Sequence, residues 1–239
     1  MENRVQLQPA YVLHRQAFQN TSMLVDFFCL DYGRVRAVVK GARSEKSAYR
    51  SSVQPFQPLL LSFGGRGDVK TVVGLESSVG ALHLQGQRLF SGMYLNELLA
   101  RLLHNHVEHK PLYLVYQDTL LALQGDAELE VLLRKFELGL LAELGYGINL
   151  ESDCQTDAPL AADKFYRFFP SLGFSQIGSD TSEIPESAKF FGANLLAIKD
   201  SNFKDAGVLS SAKRLLRIAL AVHLGDKPLH SRSLFKQRT

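Results

Sequence analysis

Six cations crowd the stretch YGRVRAVVKGARSEKSAYRS at residues 32–51: Arg34, Arg36, Lys40, Arg43, Lys46 and Arg50. Only Glu45 within it and Asp31 just before it oppose them. The chemistry that such a set performs is not bond making but the holding of a polyanion. Side chains alternate along a strand, so GRVRAVVKG sets Val35, Ala37 and Val39 on one face and Arg34, Arg36, Val38 and Lys40 on the other. The run continues into KGARSEKSAYRSS, which has no apolar pattern of its own, and Tyr49 stands among its cations. Charge that tracks phosphates beside an aromatic ring that takes a base is the pattern of single-strand binding. At the level of the residues, a merely solvated basic hairpin is the other reading.

Two more sets carry charge. In ELEVLLRKFELGLLAELGYG, Val131, Leu138 and Leu141 lie at −3, +4 and +7 from Arg134, with Lys135 beside it. That spacing suits an apolar groove with a cation at its rim, fit for an acidic peptide ending in an apolar residue and a free carboxylate. An i,i+4 pair with Glu130 and a snorkelling arginine stem is the competing reading. Toward the C-terminus, Lys213, Arg214, Arg217, Lys227, Arg232, Lys236 and Arg238 face only Asp226. The first three cluster early in an expected helix, where the helix dipole disfavours them, and this points to a use for their charge.

Other chemistries lack their residues. No GxxxxGK[ST], GxSxG, HExxH or CxxC is present, and GGRG at 64–67 reads as a hairpin turn. Cys29 and Cys154 are the only cysteines, too few for a disulfide framework or a four-cysteine zinc site. His104, His106, Glu108 and His109 read as a polar helix end before Pro111 rather than as metal ligands. No paired carboxylates stand out for acid–base work. The expectation is therefore a protein that is not an enzyme, with no cofactor and no metal.

The elements that must position these sets change character along the chain. Residues 1–80 carry ten Lys/Arg against six Asp/Glu, residues 81–160 five against eleven, and residues 161–239 twelve against seven, so basic ends flank an acidic middle. The first third reads as five short strands, with a tight turn at Asp31-Tyr32-Gly33. These fit a small closed barrel, of OB-fold or SH3-like type. From about residue 86 the apolar period becomes helical, as in RLFSGMYLNELLARLLHN, and VLSSAKRLLRIALAVHLGDKP predicts a last helix stopped by Gly225. Residues 148–194 form an irregular insert, with a hairpin expected around YRFFPSLGF. The domain break is expected at 78–86, dividing 1–80 from 81–239. No apolar run reaches the length of a membrane span, and the N-terminus lacks a signal-peptide core. A cytoplasmic, nucleoid-associated location is the expectation.

GRVRAVVKGAR, QPFQPLLLSFGGRGDVKTV, LFSGMYLNELLARLL, LRKFELGLLAELGYG and LGDKPLHSRSLF, in this order from about residue 10 to 236, resemble the RecO family of bacterial DNA repair proteins. The resemblance implies an α+β multidomain chain, an N-terminal OB-fold β-barrel followed by an α-helical domain. It implies a recombination mediator that binds single- and double-stranded DNA and anneals complementary strands without ATP. Acting with RecR, such a protein helps load the RecA recombinase onto DNA coated by single-strand-binding protein, whose acidic C-terminal tail docks on the helical domain. Arg34, Arg36, Lys40 and Arg43 then take the DNA role, joined by Lys46, Tyr49, Arg50, Lys213, Arg214 and Arg217. Arg134, Lys135, Val131, Leu138 and Leu141 become the tail-binding set. Many family members hold zinc with four cysteines between the later helices; here only Cys154 lies in that region, so zinc is not expected. An RNA-binding OB-fold protein or a non-catalytic scaffold is the alternative.

Overall fold

The structure is a computed structural model that describes residues 4–47, 49–77, 80–178 and 184–236. In chain order the strands are β1 (Val5–Phe18), β2 (Ser22–Cys29), β3 (Gly33–Val39), β4 (Leu59–Gly64), β5 (Lys70–Ser77), β6 (Phe165–Phe169), β7 (Gly173–Gln176) and β8 (Lys189–Phe191). The helices are α1 (Gly86–Leu102), α2 (Lys110–Ala122), α3 (Leu129–Glu143), α4 (Gly192–Lys199), α5 (Ala206–Leu224) and α6 (Ser231–Lys236).

Strands β1 to β5 close a barrel in the order β1-β2-β3-β5-β4. All pairings are antiparallel except β3 with β5, which run parallel at Ala37↔Lys70 and Val38↔Thr71. This closure is that of an OB-fold and sets the SH3-like alternative aside. The long first strand serves two edges, pairing with β2 through Ala10–Phe18 and with β4 through Val5–Ala10, and register shifts near Gln8 and Val12 bend it between them. β3 alternates as its sequence requires: Val35, Ala37 and Val39 are buried, while Arg34, Arg36 and Val38 are half-buried on the outside. The interior packs these residues against Val12, Val25, Phe27, Leu61 and Phe63. Gly33 turns the β2–β3 hairpin at φ +57°, and a Cβ there would sit 1.6 Å from the Val107 carbonyl oxygen. Both the left-handed backbone and the close approach call for glycine.

The chain forms two compact units, one reaching Ala127 and including the segment from Pro228, the other spanning 128–227. The sequence expects its break at 78–86, and α1 and α2, beyond that point, share the barrel's compact unit. The reason lies on the barrel's outside. Tyr11 of β1 and Phe28 of β2 point outward, and the rings of Tyr113 and Tyr116 on α2 cover them at centroid distances of 5.3–5.9 Å. Buried Asn96 of α1 donates to the carbonyls of Val12 and Leu13 and accepts from the Tyr116 hydroxyl. The Glu97 carboxylate accepts from the backbone N–H groups of His230 and Ser231, both at 2.8 Å, and holds the start of α6 on α1.

In the second unit, α3 and α4 pack with α5, and a three-stranded sheet runs β7-β6-β8. The hairpin expected around YRFFPSLGF is β6–β7, with β8 added on the other side. The irregular stretch before it is organised by Asp153, whose carboxylate accepts from the backbone N–H groups of Gln155, Thr156 and Gln176. Burial pushes this carboxyl up, but those hydrogen bonds outweigh it and hold the pKa below the usual carboxylate value. Cys154 beside it meets no set of metal ligands, and no cluster of three His, Cys, Asp or Glu stands ready for a metal ion among the described residues. The residues here do not fit a four-cysteine zinc site. α5 begins at Ala206, where the Asp205 side chain accepts from the N–H groups of Gly207 and Val208, and ends at Gly225 with φ 65°. No helix among the described residues is long and apolar enough to cross a membrane.

Candidate nucleic-acid interface

The outward faces of β1, β2 and β3 align His14, Asp26 and Arg36 in one cross-strand row. Asp26 is only 4% exposed. Its carboxylate receives Arg36 Nε at 2.8 Å and Arg36 Nη2 at 3.0 Å, a two-pronged contact, and Arg34 Nη2 at 3.2 Å. The His14 ring lies 3.8 Å away. Burial pushes the Asp26 carboxyl up, and the hydrogen bonds and charges of the two arginines overcome it, leaving the pKa below its ordinary value. The same contact raises Arg36. Arg34 also donates to the Leu103 carbonyl at 3.2 Å, while its buried Nε has no hydrogen-bond partner among the described residues.

On β3, where the sequence expects a wall of phosphate-binding cations, Arg34 and Arg36 are both paired with Asp26. Arg34 and Arg36 share one buried acid because a half-buried strand face does not leave a guanidinium unpaired. Two guanidiniums on one carboxylate still leave an excess of positive charge, and Arg36 remains partly open to solvent. Lys40 at the strand's end is exposed and makes no ion pair among the described residues.

The loop after β3 behaves differently. Arg43, Lys46 and Arg50 are exposed. Arg43 fixes the loop's first turn: its backbone N–H donates to Thr21 at 2.8 Å and its guanidinium to the Gln19 carbonyl at 3.2 Å. This ties the loop to the β1–β2 connection, and strands 2–3 with that connection form part of the usual binding surface of an OB-fold. Tyr49 does not stand free among the cations. It is half-buried and packs against the barrel core, because the loop has few other apolar residues to anchor it.

The cations of α5 divide. Lys213 pairs with Glu130 at 2.8 Å on the surface. Arg214 turns inward, over the Phe190 ring at 4.4 Å and onto the carbonyls of Glu186 and Lys189, and burial lowers its pKa. Arg217 is exposed. Because α5 starts at Ala206, these residues lie in its middle, and the dipole argument for a use of their charge does not hold. Arg238 and the side chain of Lys236 lie outside the described residues.

The sequence expects a rim cation at Arg134. Arg134 is 7% exposed and pairs with Glu137 at 2.9 Å, one turn along α3. Glu130 is taken instead by Lys213, whose hydrogen bond lowers the Glu130 pKa. Adjacent helix positions differ by about 100°, so Lys135 falls on another stripe. There Lys135, Leu138, Gly139 and Ala142 form one wall of an open groove of about 870 Å³. Ile148, Leu150 and Ile198 add apolar surface, and Lys199, paired with Glu151 at 3.2 Å, supplies a second cation. Of the five residues expected here, Lys135 and Leu138 line the groove; Leu141 is buried, and Val131 is half-buried away from it. Ile198 and Lys199 were not legible as groove residues; their only signal is the LLAIK run of a short helix.

Comparison with known proteins agrees with this architecture. Residues 1–78 match the family model described as "Recombination protein O N terminal", and residues 83–233 match "Recombination protein O C terminal". The chain is 48% identical over 231 residues to the DNA repair protein RecO of Pseudomonas putida, covering 97% of each chain. It is 44% identical to that of Pseudoalteromonas atlantica over 95% of this chain and 92% of the relative. For Shigella flexneri the identity is 42%, over 96% and 93%.

Proposed function

The chain belongs to the RecO family of DNA repair proteins, and we propose that it is a recombination mediator whose basic loop, more than its β3 arginines, holds the phosphate backbone. The observation that carries this reading is the contrast in pairing. Lys40, Lys46 and Arg50 are exposed with no carboxylate partner among the described residues, and Arg43 is exposed with only a carbonyl contact. These cations neutralise phosphates on single- or double-stranded DNA and release counterions. With the excess charge at Arg36, they lower the repulsion between two strands and let complementary bases meet. No bond is made or broken, so annealing proceeds without ATP and without a catalytic residue.

The groove on α3 supports docking of the acidic tail of single-strand-binding protein. Apolar walls at Leu138, Ile148 and Ile198 take the tail's last side chain, and Lys135 meets its carboxylate. Docking places the mediator where coated single strands already lie, and with RecR it helps load the RecA recombinase there. The experiment that tests the reading is annealing of labelled complementary strands. The variant K40A/R43A/K46A/R50A is expected to anneal several-fold more slowly than the parent chain, with unchanged secondary structure. An unchanged rate would contradict the assignment. Binding to RNA as tight as to DNA of equal length would favour an RNA-binding role instead.

A further inference from the structure

The β7-β6-β8 sheet buries one face and exposes part of the other. Inward, Tyr166, Phe168, Phe174 and Phe190 are buried. Outward, Phe165 and its cross-strand partner Phe191 are 44% and 37% exposed, with ring centroids 5.1 Å apart. Two residues along β6, Arg167 is exposed and sits 5.1 Å over the ring of Phe169. On the same face, Gly173 of β7 lies opposite Phe169, and Arg167 stands between Ser175 of β7 and Lys189 of β8.

Two exposed Phe rings on a short sheet lose apolar area to water for no gain in folding. The charges around them tell what fits. Lys189 pairs with Glu186 at 2.6 Å and Lys164 with Asp163 at 3.6 Å, whereas Arg167 has no carboxylate partner among the described residues. A protein surface covering the rings would bury Arg167 and would need to bring a carboxylate to it. A nucleic-acid strand brings a phosphate with every base. Alternate residues on a strand stand about 7 Å apart, which spaces a ring and a cation along an extended backbone.

We infer that this outer sheet face is a second binding site for single-stranded nucleic acid, with bases stacking on Phe165 and Phe191 and a phosphate meeting Arg167. It deepens the reading above, since it rests on a chain that handles single strands, but it uses residues distinct from the basic loop.

The chain contains no tryptophan, so a Phe165→Trp variant carries a single tryptophan, at the site, that can be excited selectively over the tyrosines. In the full chain, an oligo-dT strand is expected to quench this emission, and an abasic strand of equal length is not. A second variant, F165A/F191A, is expected to lose about tenfold in oligo-dT affinity for each ring that stacks. Anisotropy of the labelled oligonucleotide reports total binding in the same samples. Bound oligo-dT without quenching would overturn this site and leave the loop intact. Quenching that persists in K40A/R43A/K46A/R50A would uphold the site even if the loop reading failed. Quenching by an acidic peptide but not by oligo-dT would make the face a protein-docking surface and overturn the inference.

Discussion

Arg34 and Arg36 on β3 and Lys40, Lys46 and Arg50 just beyond it are neighbours in sequence and opposites in environment. The two strand arginines are half-buried and converge on the carboxylate of Asp26; the other three are exposed, with no acid partner among the described residues. Helix α3 repeats the contrast one residue apart, with Arg134 buried on Glu137 and Lys135 on an open groove. In both places burial decides whether a cation is part of the fold or available to a ligand. A charge taken from water needs a partner, and once paired it is held by the fold rather than offered to a ligand.

The comparison is broken most forcefully at the acid. Asp26→Ala removes the partner of two half-buried guanidiniums, and a loss of about 3 kcal/mol in urea unfolding is expected. A loss below about 0.5 kcal/mol would mean that the strand arginines are as solvated as the loop. Arg134→Ala, which strands Glu137, is expected to destabilise by a similar ~3 kcal/mol in the same measurement. The pH dependence sharpens the point. The folded pKa of Asp26 is depressed, so the unfolded chain binds the proton more readily, and stability rises with pH through this window. Its contribution is complete above the unfolded value of about 3.9 and is lost as pH falls below that through the folded pKa. Asp26→Asn is expected to flatten the acid limb of the stability curve; a curve parallel to the parent's would contradict the assignment. The smallest effect belongs to Lys135→Ala. It leaves unfolding unchanged and weakens an acidic, Phe-ending peptide by about 1 kcal/mol in calorimetry, since the lysine is exposed. Equal peptide affinity would place the docking site elsewhere.

Much of this was legible in the sequence, and the misses have physical causes. The period of two in GRVRAVVKG showed which face of β3 is core, because one-residue alternation is all that a strand requires. The partner of Arg36 was within reach as well. A tight turn ending at Gly33 fixes Cys29 opposite it, and counting back along the hairpin sets Asp26 opposite Arg36. On α3, Arg134 and Lys135 both lie beside apolar rows, and only tertiary packing chooses which row is buried. The 148–194 insert resisted because its organiser, Asp153, gathers N–H groups from both near and distant residues, which no period records.

The central claim is that phosphate is held by the loop rather than by the β3 arginines. The most direct test is the salt dependence of single-strand affinity in three chains: the parent, Arg36→Ala, and K40A/R43A/K46A/R50A. The slope of log K against log salt is expected to flatten by about three in the loop variant and by less than about one in Arg36→Ala. A loop variant that keeps the parent's slope, beside an Arg36→Ala chain that loses it, would contradict the account.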